Sequence, residues 1–262
     1  MRRTVAACRT GLSLVVLACL FTTVAPAGRA MAGETLAAVA TNFSEVMSAL
    51  APRFEAATGQ RVRVSAGSTG KLYAQIRNGA PFDILLAADQ HRPELLAASP
   101  FGVEGSVFTY AVGRLTLWSA NATRIGRDGA RTLEARDFRH LAIANPKLAP
   151  YGLAAEQTLR ALGLWQSLQD RIVQGENIGQ TFSLIATGNA ELGLVALSYV
   201  VSPRNTRVGS RWDVPPDLYA PIRQDAVLLA RGADNPAAVA LMKYLKGSEA
   251  RTLIVRFGYV VD

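Results

Sequence analysis

Four short polar or Gly/Pro-containing turns carry most of the chemistry that this sequence offers. Each follows an apolar run typical of a strand and leads into an amphipathic run typical of a helix; the turns are Thr41-Asn42, Gly67-Ser68-Thr69-Gly70, Ala149-Pro150-Tyr151-Gly152 and Asn177-Ile178-Gly179-Gln180. The first turn of a helix has unpaired backbone N–H groups and carries about half a positive charge. If these helix starts converge, they form an anion site that needs no lysine or arginine.

Most polar side chains in these turns are hydrogen-bond donors. The candidate ligand groups are the hydroxyls of Thr41, Ser68 and Thr69, the amide of Asn42, the phenol of Tyr151, and backbone N–H groups near Asn42, Thr69 and Ile178. Any one such turn is more often an ordinary helix cap, because Ser, Thr and Asn are preferred at helix starts in all proteins. Four of them in one chain favour a shared binding site.

The four turns contain no carboxylate, and this indicates which anions such a site accepts. A fully deprotonated dianion can accept a hydrogen bond from every donor. Hydrogen phosphate brings an O–H group that would be buried without an acceptor, at a cost of about 1–3 kcal/mol. We therefore expect phosphate to be rejected. Sulfate is also a proton-free tetrahedral dianion, and the sequence does not exclude it.

Strand-like and helix-like segments alternate along the chain and position these turns. Strands are predicted at 34–40, 61–66, 83–87, 140–144, 192–196 and 224–230, and helices at 44–58, 71–78, 153–162, 179–187, 236–246 and 248–257. The long apolar run at 107–118 is predicted to cross between two lobes, and 203–221 is predicted to be irregular. This alternation indicates an α/β fold with mostly parallel sheets, in which ligands bind beyond the carboxyl ends of the strands.

The first 32 residues have the features of a secretory signal peptide. Arg2 and Arg3 precede an apolar stretch that is shorter than the roughly 20 residues a membrane span needs, and Ala30-Met31-Ala32 offers the small residues of a cleavage site. A membrane anchor, or a lipid on Cys19, is the weaker alternative. Both cysteines lie in this segment, so its removal leaves a chain without disulfides or thiolate chemistry.

The charge of the remaining chain is low. The segment over 1–32 holds four basic residues and no acidic one, so its removal lowers the formal charge from +8 to +4. The basic residues are dispersed, and none of them forms a cluster interleaved with aromatics, so a nucleic-acid partner is not predicted. A chain of this length can bury one large core or two modest ones.

An acyl-transfer enzyme is the main alternative from another class. Ser68-Thr69-Gly70-Lys71 fits the Ser-x-x-Lys pattern of penicillin-recognising enzymes, but the Lys-Thr-Gly element that accompanies it there is missing. His91 and His140 lie far apart and have no companions at metal-ligand spacing. The sequence therefore predicts a binding protein rather than an enzyme, without a cofactor.

Runs of residues in and around the four turns match one known family in order. They are Ala38-Val39-Ala40-Thr41-Asn42-Phe43, Gly67-Ser68-Thr69-Gly70, Tyr73-Ala74-Gln75-Ile76, Asn78-Gly79-Ala80-Pro81, Ala87-Ala88-Asp89, Asn145-Pro146, Ala149-Pro150-Tyr151-Gly152-Leu153-Ala154, Asn177-Ile178-Gly179-Gln180, Leu192-Gly193-Leu194-Val195-Ala196-Leu197, Tyr244-Leu245-Lys246-Gly247 and Gly258-Tyr259. Over nearly all of residues 33–262, this pattern closely resembles the periplasmic molybdate-binding proteins of ABC transporters.

The resemblance implies a two-lobed type II periplasmic-binding-protein fold with two crossover strands. We assign residues 33–110 and 225–262 to the first lobe and 111–224 to the second. The family likeness further implies a molybdate or tungstate ligand in the interlobe cleft, delivery to a membrane permease and a periplasmic location, and we expect a monomer. Carried over by position, the ligand contacts are Thr41, Asn42, Ser68, Thr69, Tyr151 and Ile178. A binding protein for sulfate or another small solute stays open as an alternative.

Two positions identify the branch of the family that the chain resembles. One branch has serine at the position of Asn42 and tyrosine at the position of Ala196. Here the tyrosine lies at 151, where that branch has alanine, so the chain resembles the Thr-Asn branch. Thr69 stands where the family commonly has serine, which keeps the hydroxyl and adds a methyl group.

Overall fold

The computed structural model describes residues 33–261 of the chain. The predicted signal peptide over 1–32, with its possible lipid site at Cys19, lies outside the described residues. Within 33–261, none of the helices has the length and apolar character that a membrane crossing requires.

Strands and helices alternate through most of the described chain. The strands are β1 (Glu34–Ala40), β2 (Arg61–Gly67), β3 (Ile84–Leu86), β4 (Phe108–Gly113), β5 (Leu115–Ser119), β6 (Leu141–Ala144), β7 (Ile172–Gly175), β8 (Leu192–Ala196), β9 (Ser210–Asp213) and β10 (Ile222–Leu228). The α-helices are α1 (Ser44–Thr58), α2 (Thr69–Arg77), α3 (His91–Ala97), α4 (Gly129–Ala135), α5 (Pro150–Ala161), α6 (Ile178–Ala186), α7 (Leu197–Val200), α8 (Pro236–Leu245) and α9 (Ser248–Arg256). A short 3-10 helix over Thr41–Phe43 joins β1 to α1.

The described strands form two five-stranded sheets of the same design. The strand order is β2-β1-β3-β10-β4 in the first sheet and β7-β6-β8-β5-β9 in the second. In the first sheet β10 is antiparallel to both of its neighbours, and in the second sheet β5 is antiparallel to both of its neighbours. The other four strands of each sheet therefore run in one direction, which agrees with the predicted mostly parallel α/β fold.

The chain passes twice between the two sheets. The first passage is at Arg114, between β4 and β5, and the second lies between β9 and β10. These two passages confirm the predicted two-lobed fold with two crossovers. By strand pairing, residues 111–113 and 222–224 belong to the first sheet, so the sheets change a few residues away from the lobe limits that we predicted at 110/111 and 224/225.

The inner strand β3 of the first sheet is buried on both faces. Successive residues of β3 join different apolar clusters, with Ile84 and Leu86 on one side and Leu85 on the other. Side chains of a strand alternate between the two faces of a sheet, so helices must cover both. One of these helices is α1, which begins directly after the 3-10 turn and ends at Thr58. Gly59 follows it in the left-handed conformation (φ 68°).

The irregular segment predicted at 203–221 contains an edge strand. Residues of β9 pair with β5 along one side only, and most of this four-residue strand is half-buried or exposed. A strand this short and this exposed has too weak an apolar alternation to be recognised from sequence.

Candidate anion-binding site

The four turns converge on one small cavity between the two sheets. The cavity measures about 10 Å³ and is lined by Ala40, Thr41, Asn42, Gly67, Ser68, Thr69, Ala88, Ala149, Pro150, Tyr151 and Ile178. All six predicted ligand residues are in this lining. Its volume is close to the space that one water molecule occupies, so an anion reaches these groups only when the lobes part.

The turns meet because of where the strands end. The 3-10 helix and α2 begin directly after β1 and β2, while α5 and α6 follow β6 and β7 after short loops. Within each pair the two strands are parallel neighbours, so their carboxyl ends lie side by side. Each lobe thus presents two helix N-termini to the cavity, and their dipoles make the site favourable for an anion.

Three of these four helix starts lack a side-chain cap within the described structure. The cap positions of the 3-10 helix, α2 and α5 are Ala40, Ser68 and Ala149, and no side chain caps them. Only α6 is capped in the ordinary way, by Asn177 Oδ1, which accepts from Gln180 N at 2.9 Å. The capping interpretation of the turns therefore holds at one of the four.

The three hydroxyl side chains are arranged to donate. Thr41 Oγ1 accepts from Gly179 N at 3.3 Å, and Thr69 Oγ1 accepts from Ala88 N at 3.0 Å. A hydroxyl that accepts in this way keeps its own proton for another partner. Ser68 Oγ is buried and has no hydrogen-bond partner among the described residues. Such an orphan hydroxyl is costly in a folded protein, which is the behaviour expected of a ligand-contacting group.

The side-chain amide of Asn42 is committed to other protein groups. Its Nδ2 donates to Gln224 Oε1 at 2.7 Å and to Tyr259 Oη at 3.0 Å, which uses both of the amide protons. The sequence suggested this amide as a ligand donor. In the structure the donor left to Asn42 is its backbone N–H at the start of the 3-10 helix, and its side chain holds that turn in place.

Tyr151 brings a neutral phenol to the cavity. Its side chain is buried, and its Oη accepts from Gln224 Nε2 at 3.2 Å. Burial is the main cause that raises the pKa of Tyr151 well above its ordinary value, while the hydrogen bond with Gln224 acts in the opposite direction. The phenol therefore keeps its proton at physiological pH and can serve as a donor.

A buried polar cluster behind the cavity was not foreseen from the sequence. Its members are Tyr110, Ser198, Gln224 and Tyr259. Tyr259 Oη donates to Asn42 O at 2.7 Å, and Ser198 Oγ donates to the same carbonyl at 2.8 Å. The only earlier sign was the Gly258-Tyr259 pair in the family resemblance, because the four residues lie on separate segments with no spacing that links them.

The lobes are held in contact across the cavity. Gly70 N donates to Leu148 O at 2.9 Å, and Tyr199 Oη donates to Thr41 O at 2.7 Å. At the surface Lys71 Nζ and Glu176 Oε2 form an ion pair at 2.6 Å. These contacts join elements on either side of the cavity, so the structure describes a closed arrangement.

The chemistry expected of an acyl-transfer enzyme is not assembled here. Lys71 Nζ is paired with Glu176, and Ser68 Oγ contacts no base among the described residues. Within the same part of the chain, no group of three or more His, Cys, Asp and Glu side chains could hold a metal ion. Among the residues that line the cavity, none is charged. The cavity lining therefore offers neutral hydrogen-bond donors rather than charged side chains.

Two lobes that are joined by two crossovers and close on a small donor-lined cavity define a solute-binding protein. The chain belongs to the bacterial extracellular solute-binding protein family, whose sequence profile matches residues 35–260.

Three comparisons show which members of that family the chain is similar to. The molybdate-binding protein ModA of Azotobacter vinelandii is 52% identical over 230 residues, which cover 88% of this chain and 91% of that protein. ModA of Rhodobacter capsulatus is 45% identical over 233 residues, which cover 89% and 90% of the two chains. The solved structure of the Azotobacter vinelandii periplasmic molybdate-binding protein superposes with a TM-score of 0.83 at 41% identity, over 87% of this chain and 99% of that one.

Proposed function

We propose that this protein captures molybdate or tungstate outside the cytoplasm and delivers it to the permease of an ABC transporter. It acts by closing its two lobes around the dianion, without catalysis and without a cofactor. The similarity to two molybdate-binding proteins over about nine tenths of the chain supports the ligand class. We further propose that residues 1–32 direct export to the periplasm and that the protein acts as a monomer.

The observation on which the ligand assignment depends is the composition of the cavity. It offers the unpartnered Ser68 hydroxyl, the two threonine hydroxyls, the Tyr151 phenol and helix N-termini without caps. We assign the direct contacts to Thr41, Asn42 (through its backbone N–H), Ser68, Thr69, Tyr151 and the backbone at Ile178. All of these groups can donate, and a proton-free dianion can accept from each of them.

This donor set determines which anions bind. Hydrogen phosphate would bury its O–H against other donors, which costs about 1–3 kcal/mol. Sulfate presents no such proton, so its exclusion must depend on size. Molybdate and tungstate are larger tetrahedral dianions than sulfate, and we propose that these donors fit their oxygen positions when the lobes close around the anion.

The test is calorimetric titration of residues 33–262 with molybdate, tungstate, sulfate and phosphate in separate experiments. We expect one-to-one binding of molybdate and tungstate and no heat from phosphate. Sulfate binding as tight as molybdate binding would replace the proposed ligand with sulfate. If none of the four anions gives a heat of binding, the oxyanion assignment is refuted, whereas the membership of the solute-binding protein family is unaffected.

A further inference from the structure

Gln224 occupies an unusual place in the crossover strand β10. The register of β10 against β4 shifts between Gln224 and Asp225, and the pairing skips Tyr110 on the facing strand. Bulges of this kind redirect side chains and are common beside functional sites. The side chain of Gln224 is completely buried, so its amide must find its partners within the protein.

The amide of Gln224 connects three separate segments of the chain. Its Oε1 accepts from Asn42 Nδ2 at 2.7 Å and lies 3.1 Å from the Tyr110 hydroxyl. Its Nε2 donates to Tyr151 Oη at 3.2 Å. One side of the amide thus binds the first lobe and the other side binds the phenol that the second lobe contributes to the cavity.

Packing leaves this pair little freedom. A Cβ at Gly113 would collide with Tyr151 Oη and would come within 2.5 Å of Gln224 Nε2, so the absence of a side chain there makes room for the hydrogen bond. Burial raises the pKa of Tyr259 to about 12, and the neighbouring Tyr151 phenol acts in the opposite direction. A bound anion would give the Tyr151 proton an acceptor in the cavity.

We propose that Gln224 is a positioning residue that holds Tyr151 as a hydrogen-bond donor to the anion. It thereby links the anion contact of the second lobe to the crossover strand β10. Because Gln224 occupies a lone pair of the phenol oxygen, Tyr151 is poorly placed to accept from a protonated anion and keeps its own proton for donation. This inference rests on the proposed function for the identity of the ligand. The hydrogen bond that it invokes can be tested without any ligand.

The first experiment uses ligand-free protein labelled with carbon-13 at the tyrosine Cζ. The Tyr151 resonance is assigned by its loss in Tyr151→Phe. We expect it to move in Gln224→Met and to stay in place in Gln90→Met, because Gln90 Nε2 lies beside Thr109 and Asp225 near the same strand. An unmoved Tyr151 resonance in Gln224→Met would overturn the proposal, whatever anion the protein binds.

The second experiment is a double-mutant cycle measured by molybdate titration. We expect Gln224→Met to weaken binding about tenfold, as for the loss of one hydrogen bond of about 1.4 kcal/mol. In the Tyr151→Phe background the same change should have little further effect, because its target is gone. An equal loss in both backgrounds, or tighter binding by Gln224→Met, would overturn the proposal, since tighter binding means that Tyr151 donates to Gln224 instead.

A second variant keeps the test decisive if Gln224→Met does not fold. Gln224→Glu preserves the shape and the acceptor for Asn42, and when ionised it presents an acceptor to Tyr151 in place of the amide donor. We expect it to shift the ligand-free Tyr151 resonance as well. If the wild-type protein binds none of the four oxyanions, the proposed function fails, whereas the resonance experiment still decides whether Gln224 controls the phenol.

Discussion

Replacing Ser68 with alanine should weaken anion binding without weakening the fold. Ser68 Oγ is buried and has no partner among the described residues, and it does not cap its own helix α2. The usual penalty for losing a serine cap therefore does not apply. A hydrogen bond to a charged ligand contributes about 1.5–3 kcal/mol, so we expect an affinity loss of roughly 10- to 150-fold.

The ligand-free stability of Ser68→Ala should be unchanged or slightly higher. A buried hydroxyl without a partner costs about 1–3 kcal/mol, and alanine removes that cost while leaving a void of a single atom. The assays are calorimetric titration with molybdate and thermal unfolding in the absence of anions.

Ser119→Ala is the matched control for this experiment. Ser119 is equally buried, but its Oγ donates to Glu191 O at 2.6 Å and accepts from Asn121 N at 3.2 Å. We expect this variant to lose about 1–2 kcal/mol of stability and to keep its affinity. If Ser68→Ala instead unfolds at a lower temperature and binds molybdate as tightly as the wild type, Ser68 is a structural residue and the reasoning is refuted.

Three further predictions address other parts of the site. Tyr151→Phe should weaken molybdate binding by about 1.5–3 kcal/mol in the same titration, and unchanged affinity would remove Tyr151 from the ligand contacts. Gly70→Ala should oppose lobe closure and weaken binding by about 1–3 kcal/mol, because its Cβ would lie 3.0 Å from Leu148 O. Small-angle scattering with molybdate should then show a less closed protein. Full closure at wild-type affinity would contradict this prediction. Burial raises the pKa of Tyr259 to about 12, so the neutral phenol stabilises the fold fully below pH 10, and this stabilisation is lost as the pH rises toward 12. In Tyr259→Phe the free energy of unfolding should therefore fall less steeply between pH 10 and 12. An unchanged slope in alkaline denaturation would contradict this prediction.

Local sequence patterns predict much of the fold. The predicted limits of α1, β1 and β8 agree with the structure, because each has strong apolar periodicity between clear turn signals. The edge strand β9 was missed because it is short and pairs on one side only. The chain passes from the first sheet to the second at Arg114 because β4 pairs with β10 and β5 pairs with β8. These partner strands lie far away in the sequence, so the local pattern does not predict this passage.

The site residues that lie in local turns could also be predicted from sequence, whereas the contacts between distant segments could not. The donor residues of each turn are visible in its own short sequence, so the six residues could be predicted. All six line one cavity in the structure. The direction in which the Asn42 amide points could not be read, because its partner Gln224 is 182 residues away. A single glutamine in a strand has no pattern of its own, and its importance appears only when the bulge and Tyr151 are seen together.

The features that make the cavity receptive to an anion also weaken the ligand-free protein. Helix starts without caps and an unpaired hydroxyl would each be corrected by ordinary substitutions, yet they are gathered where the four turns meet. Net stabilities of folded proteins are only about 5–15 kcal/mol, so such costs are significant. A ligand that satisfies these groups in the folded state alone must raise stability, by about 4 kcal/mol at a thousandfold excess over its Kd. The same donors therefore link anion capture to a rise in the melting temperature, and Ser68→Ala should reduce that rise while leaving the ligand-free melting temperature unchanged or slightly higher.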